Sequence, residues 1–372
     1  MEISDVLYQI DDKKQFLSEV DEIVNQRVSS KEQLNRLVDN LIRFICAYGV
    51  SFLTSEEHLL DCCLQIRNSA TFKDNVDVFR SALLATLFAS ENIFGSDFVL
   101  YFFLVDASKD PACLHFLADM GFFPLLIDHI VRRIKLNKTN EESSCPYGLC
   151  LLVRLCRTQR ISMPDLKSVS DFFMEALFLE VDLAKENEIE DHFILCILAI
   201  LSLNEQFMLA GLRTNEDPGS VNGHANKVMA ALMNPNIDTR SYGEGLVFTL
   251  NRENDVRVQL LILKQLFLIF TTPETYEYFY TNDLHVLMDV CIRELNNLSP
   301  ESSALQYAYL QVLYPMLVNS QVRDPPHYKT VDLVHTLQAI VEPNPMSSRT
   351  IPPATEKAVE QVLSIPWLQQ AN

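Results

Sequence analysis

Glycine is scarce in this chain. Nine occur in 372 residues, and five of them (Gly211, Gly219, Gly223, Gly243, Gly245) fall close together. Tight turns between strands and phosphate-cradling loops draw on glycine, so its scarcity argues against all-β and α/β folds and suits helices. Positive charge is also short: 30 Lys and Arg stand against 49 Asp and Glu, a formal net charge of −19. A phosphate-binding surface needs clustered basic residues, and only short patches such as Arg132, Arg133, Lys135 and Lys138 occur. Nucleic acid and anionic lipid are therefore not expected partners. An acidic surface favours basic protein partners, or simply solubility. No apolar run is long: Phe193–Leu203, the longest clean one, is too short to span a bilayer, and no membrane insertion is expected.

Motifs of catalysis are missing too. There is no Walker loop, GxGxxG, HExxH or GxSxG. Gly243-Glu244-Gly245 lacks the strand and further glycines of a nucleotide loop. Cys145, Cys150 and Cys156 are separated by four and five residues, not in a paired zinc pattern. His58, His129, His285 and His335 sit singly in amphipathic stretches, and carboxylates such as Glu141-Glu142 and Glu186 to Asp191 read as solvated surface. A helical enzyme would need His, Cys or carboxylates clustered at fixed helical spacing, and none is visible. The expectation is a protein that is not an enzyme, with no cofactor and no metal. The start MEISDVLYQIDDKK lacks the basic and apolar blocks of a secretory signal. The sequons at Asn137 and Asn297 then read as chance matches. The nine cysteines, embedded in runs such as LDCCLQ and FILCILAIL, read as reduced, buried thiols of a cytosolic protein.

What the chain has in quantity is helical periodicity. Hydrophobic residues make up 48% of it, enough for a large core. Apolar spacing of three and four predicts helices almost without pause, from Ile3–Arg27 to Ala354–Ile365. Among them are Asp97–Val105, Pro164–Glu186, Pro273–Tyr280, Leu284–Asn296 and Tyr328–Val341. Thr272-Pro273-Glu274 and Ser299-Pro300-Glu301 predict helix starts in which a hydroxyl caps, proline fills the first turn and glutamate meets the positive dipole end. Asp110-Pro111 repeats the cap and the proline. In TNDLHVLMDVCIRELNNL (Thr281–Leu298), Asn282 or Asp283 is the expected cap. The core face there is expected to include Leu287, Met288, Cys291 and Ile292, with Leu310 in the core further on.

A weak internal repeat separates a solenoid from a bundle. FLADMGFFPLLIDHIVRRI (Phe116–Ile134) aligns with YFYTNDLHVLMDVCIREL (Tyr278–Leu295), with Asp128 on Asp289 and Arg132 on Arg293. Each copy reads as an apolar helix, a short capped helix, a turn and a long amphipathic helix, an armadillo-type unit that must stack to bury its apolar face. The expected architecture is all-α, an armadillo/HEAT-like right-handed solenoid over residues 1–372 as a single domain. Residues 1–30 are read as a capping helix, 342–353 as a proline-rich break, and 354–372 as a last helix and tail. Arg213–Asn226 is the expected surface loop.

The block Ser241–Val322 resembles a known family. FLIFTTPE, YFYTNDLHVLMDVCIREL and AYLQVLYPMLVNS are together similar to the leucine-rich, armadillo-like domain of the WISH/DIP family, activators of the actin-related protein 2/3 complex. Leu34 to Glu205 fits the same domain more loosely. Without an SH3 domain or proline-rich segments like those of larger members, the chain resembles the short fungal type. The resemblance implies binding and activation of that complex without a preformed mother filament. It implies linear filaments that can seed branched networks, in the cytoplasm at cortical actin patches of endocytosis. Actin itself would be engaged indirectly. On the matching block, Tyr276, His285, Asp289, Arg293 and Glu294 are the expected partner contacts. As a helix face they read equally well as solvated surface, and the tyrosines of ETYEYFYTND read equally as interface and core. The alternative function is a generic armadillo or HEAT adaptor gripping another protein or a peptide. The single tryptophan, Trp367, counts against the ladder such adaptors use.

Overall fold

The computed structural model describes residues 10–89, 92–137, 145–214, 226–299, 302–342 and 351–369. Several sequence expectations lie outside them: the helix start at Ile3, most of the loop Arg213–Asn226, and Pro300-Glu301 of the second cap. Lys138, Glu141-Glu142, most of the 342–353 break and the last residues of the tail also lie outside. The described residues contain helices and no strand. They form two compact units, Met1–Gln159 and Arg160–Asn372.

The first unit holds α1 (Lys13–Val24), α2 (Lys31–Phe52), α3 (Glu56–Asn68), α4 (Ala70–Asp74), α5 (Val76–Ala89), α6 (Ile93–Lys109), α7 (Ala112–Asp119), α8 (Phe122–Asn137) and α9 (Pro146–Thr158). Polar side chains set the starts. Asp12 accepts from the Gln15 N–H, Ser30 from Gln33, Ser55 from His58 and Asn92 from Gly95. The Asn92 cap starts α6 a turn earlier than the expected Asp97. The first helix ends at Val24 with an Asn25 cap, shorter than the expected Ile3–Arg27. Helix α6 is the axis of the unit: Phe98, Leu100, Phe102 and Phe103 are at most 1% exposed. It packs on α2, α3, α5, α7 and α9. Between α7 and α8 the chain turns at Gly121, whose φ of +67° is the left-handed region a side chain disfavours.

The second unit holds α10 (Met163–Leu166), α11 (Asp171–Glu186), α12 (Glu190–Thr214), α13 (Lys227–Leu232), α14 (Arg240–Arg252), α15 (Val256–Thr271), α16 (Thr281–Asn297), α17 (Ser303–Asn319), α18 (Thr330–Val341), α19 (Pro353–Leu363) and α20 (Pro366–Gln369). The expected Pro164–Glu186 helix is broken, because the Ser170 hydroxyl accepts from the Phe173 N–H and opens a new start. The expected Pro273–Tyr280 helix is only the 3-10 turn Pro273–Thr275. Thr272 makes no side-chain cap there; Thr275 instead donates its hydroxyl to the Ile269 carbonyl at 2.7 Å. In α16 neither Asn282 nor Asp283 caps. Tyr280 stands at the cap, without a side-chain bond, and Asp283 meets the positive dipole end from inside the first turn.

Two rows of helices run through this unit. Helices α11, α14, α16 and α18 each pack on the next, as do α12, α15, α17 and α19. The repeat read from sequence corresponds to matching element orders, α6–α7–α8 and α15–3-10–α16. Helix α12 is a correction to the short apolar run: Glu190–Leu212 is long and apolar enough to cross a membrane by length and composition alone. Its apolar character has a local cause, since it packs on α11, α13, α14 and α15, with Ile197, Ile200, Leu201 and Leu203 fully buried. The Gly243–Gly245 pair lies in α14, where a Cβ on Gly243 would meet the Tyr278 ring at 2.9 Å and one on Gly245 would meet Phe193 at 2.8 Å. These glycines let helices approach closely.

Candidate functional site

Helix α16 is amphipathic because its apolar residues recur at three and four. Leu284, Leu287, Met288, Val290, Cys291 and Leu295 are buried, as is Leu310 of α17. Ile292 is half-buried and not in this core; the helix turns Val290 inward as well, which spacing alone did not rank. Burial pushes the Cys291 thiol up to about 12, so it stays protonated and inert.

The opposite face carries four of the five expected contacts, and the structure sorts them into two clusters. His285 stacks on Tyr328 with ring centroids 4.0 Å apart and 14° between planes. The Tyr328 hydroxyl donates to Asp289 at 3.1 Å, and Lys329 pairs with Asp289 at 2.8 Å. Lys329 has φ 47°, a left-handed conformation that costs a non-glycine residue energy and moves the start of the expected Tyr328–Val341 helix to Thr330. One turn further along, Arg293 donates to the Asn251 side chain at 2.7 Å and to its carbonyl at 3.2 Å, and pairs with Glu294 at 2.8 Å. Asn296 reaches the Thr336 hydroxyl at 3.0 Å. The polar face of α16 is thereby tied to α14 on one side and to α18 on the other. It stays accessible: Arg293, Asp289 and Lys329 side chains are about two-fifths exposed (44%, 41% and 40%).

Tyr276 belongs to neither cluster; it caps the 3-10 turn and is half-buried. Its neighbours divide as well. Phe279 is buried, Tyr278 anchors on the Thr239 carbonyl at 2.6 Å, and Tyr280 is 63% exposed. Sequence spacing missed Asn251 of α14, Tyr328 and Lys329 of the turn before α18, and Thr336 of α18. The His327–Trp367 stack, 4.4 Å between centroids, holds the segment that presents Tyr328. The one usable signal was the aromatic-basic run His327-Tyr328-Lys329 after two prolines.

One constellation of catalytic type is also present, against expectation. His192 and Cys196 sit four apart on α12, with Glu180 of α11 at 3.2 Å and Cys196 at 3.6 Å from His192 Nε2. All three are under a tenth exposed, and burial holds the thiol well above its ordinary range. The trio sits in the α11–α12 packing, out of reach of a substrate. A separate open groove of ≈ 310 Å³ is floored by Phe193 and Phe248. Its rim carboxylates Glu244 and Glu190 are already paired with Lys185 and Arg252.

Comparison with known proteins follows the same helices. The profile of the SPIN90/Ldb17 leucine-rich domain matches residues 188–333, which take in α12 to α17 and both clusters. Protein dip1 of Schizosaccharomyces pombe is 40% identical over 370 residues, 100% of this chain and 98% of that protein. The chain belongs to the SPIN90/Ldb17 family, the WISH/DIP family, and is of its fungal DIP type. Protein LDB17 of Saccharomyces cerevisiae is 30% identical over 231 residues, 59% of this chain and 44% of that protein. Protein LDB17 of Eremothecium gossypii is 30% identical over 193 residues.

Proposed function

We propose that this chain binds the actin-related protein 2/3 complex and activates it without a preformed mother filament, producing linear filaments that can seed branched networks. The observation that carries the reading is membership of the family along the whole chain, at 40% identity to Protein dip1. The protein acts by binding, with no bond chemistry of its own. The complex populates its active arrangement rarely, and a ligand that grips that arrangement more tightly shifts the population by its differential affinity. A stiff scaffold is suited to this, because little free energy is lost in ordering it. The reading takes residues 1–372 as one domain with an armadillo/HEAT-like right-handed solenoid architecture; the two rows of helices in the second unit support the stacking it needs there. Actin is engaged only through the complex, in the cytoplasm at cortical endocytic patches. Neither nucleic acid nor membrane insertion is involved.

The contact face in this proposal is the polar side of α16, with Tyr276 beside it. Its side chains are held by neighbouring helices before any partner arrives, which lowers the entropy lost on binding. The test is fluorescence-monitored actin assembly with purified chain, actin monomers and the complex, with no filaments and no other activator. Acceleration that needs the complex and gives unbranched filaments is the expected result. Charge reversal at Arg293 and Glu294 together should then weaken activation while the helical signal and melting temperature stay close to the parent's. A folded parent chain that gives no acceleration rejects the activator reading in favour of a generic adaptor.

A further inference from the structure

Three potential ligand groups of the first unit meet at one place. Asp97 of α6, His129 of α8 and Cys145, the residue that caps α9, each offer a ligand atom, and the three atoms lie within 4.8 Å of one another. Asp97 Oδ1 and His129 Nε2 are buried and have no hydrogen-bond partner. Buried polar atoms are nearly always partnered, and an unfilled ion site is one standard reason for an exception. The third donor is prepared for the same role. Cys145 is 2% exposed, and its sulfur sits over the first turn of α9, where a Cβ on Gly148 would approach it to 2.7 Å. A helix N-terminus stabilises the thiolate, the form that ligates metals. Asp97 is oriented by Arg133, which donates to its other oxygen at 3.1 Å, as ligating carboxylates are usually held.

We propose that Asp97, His129 and Cys145 form a binding site for a zinc-class divalent ion. One nitrogen, one sulfur and one oxygen suit zinc, and a single carboxylate beside a thiolate does not suit calcium or magnesium. A tetrahedral zinc places its donors about 3.3–3.8 Å apart, so side-chain rotation closes the present arrangement and leaves the fourth position to water. Carboxylate and thiolate together neutralise the ion. The ion would tie α6, α8 and α9 together, a structural role. Residues 97, 129 and 145 have no motif spacing, so linear sequence could not reveal them.

The test uses the full chain, stripped with chelator and titrated with Co²⁺ and then Zn²⁺. One ion per chain is expected, with the near-ultraviolet sulfur-to-cobalt band and the strong visible bands of a tetrahedral site, all displaced by zinc. Cys145→Ser should abolish the near-ultraviolet band, and Cys150→Ser should keep it. His129→Gln, at a half-buried position, should weaken Zn²⁺ affinity at least tenfold and abolish the zinc-dependent rise in melting temperature. Folding of each variant is checked by circular dichroism in chelator. If Cys145→Ser does not fold, His129→Gln decides alone. A folded parent with no ion bound at micromolar concentration overturns the proposal. So does a cobalt–sulfur band that survives Cys145→Ser, or unchanged affinity in His129→Gln.

Discussion

Asp106 is fully buried, and the costs of removing it and its main partner should not add. Arg67 of α3 reaches it at 2.9 Å and Arg80 of α5 at 2.8 Å, while Arg80 also holds Asp110 at 2.7 Å. The Arg80 side chain is itself 3% exposed. This cluster joins α3, α5, α6 and the turn into α7. A buried ion pair gains little over a well-packed apolar replacement, but breaking one strands a charge out of water at about 3–5 kcal/mol. Arg80→Met keeps the length of the side chain, leaves Asp106 with Arg67 alone, and should destabilise by an amount in that range. Asp106→Leu should strand Arg80 less severely, because Asp110 remains. The double variant should cost less than the sum, with a coupling of about 1–3 kcal/mol. Urea unfolding of all four proteins, followed by circular dichroism, measures the cycle. If Arg80→Met costs under about 1 kcal/mol, or if the single losses simply add, the stranded-charge argument is wrong.

The same cluster sets an acid limit. Arg80 holds the Asp110 carboxyl below its ordinary 3.8. A depressed carboxylate contributes fully above its unfolded value and loses that contribution as pH falls through the folded one. The parent should lose stability below about pH 3.8 more steeply than Arg80→Met, by a small margin because Asp110 is partly exposed; unfolding midpoints across pH 2–6 check this. Gly245→Ala should destabilise the second unit by about 1–3 kcal/mol, since its Cβ enters the Ile197 and Phe193 packing; thermal melts decide, and a neutral result would mean that α12 and α14 can separate without loss. Leu287→Ala should cost about 2–5 kcal/mol and half-buried Ile292→Ala clearly less, measured in parallel denaturant titrations; equal losses would put Ile292 back in the core.

Linear sequence determined the helices and the family. Apolar spacing of three and four is a local property, and so is a Ser, Asp or Asn placed where a start needs an acceptor. That is why α16 covers the expected Leu284–Asn296, and why the block from Ser241 to Val322 was enough to recognise relatives. The boundaries that failed depended on competition. Thr272 had a cap's identity, but the Thr275 hydroxyl and the Ile269 carbonyl settled that turn differently. Ser170 outcompeted a continuous helix across Pro164–Glu186.

Only the tertiary structure decided what each face meets. Whether Ile292 or Val290 turns inward depends on where α14, α17 and α18 lie against α16, which no spacing encodes. Gly243-Glu244-Gly245 could be rejected as a nucleotide loop from sequence, but only the neighbouring side chains give the glycines their reason. The polar row His285, Asp289, Arg293 and Glu294 was legible as a row. Its partners Tyr328, Lys329 and Asn251 were not, because they stand about 40 residues away in sequence. The same holds for Asp97 of α6, His129 of α8 and Cys145 at the start of α9, whose meeting depends entirely on how those helices pack.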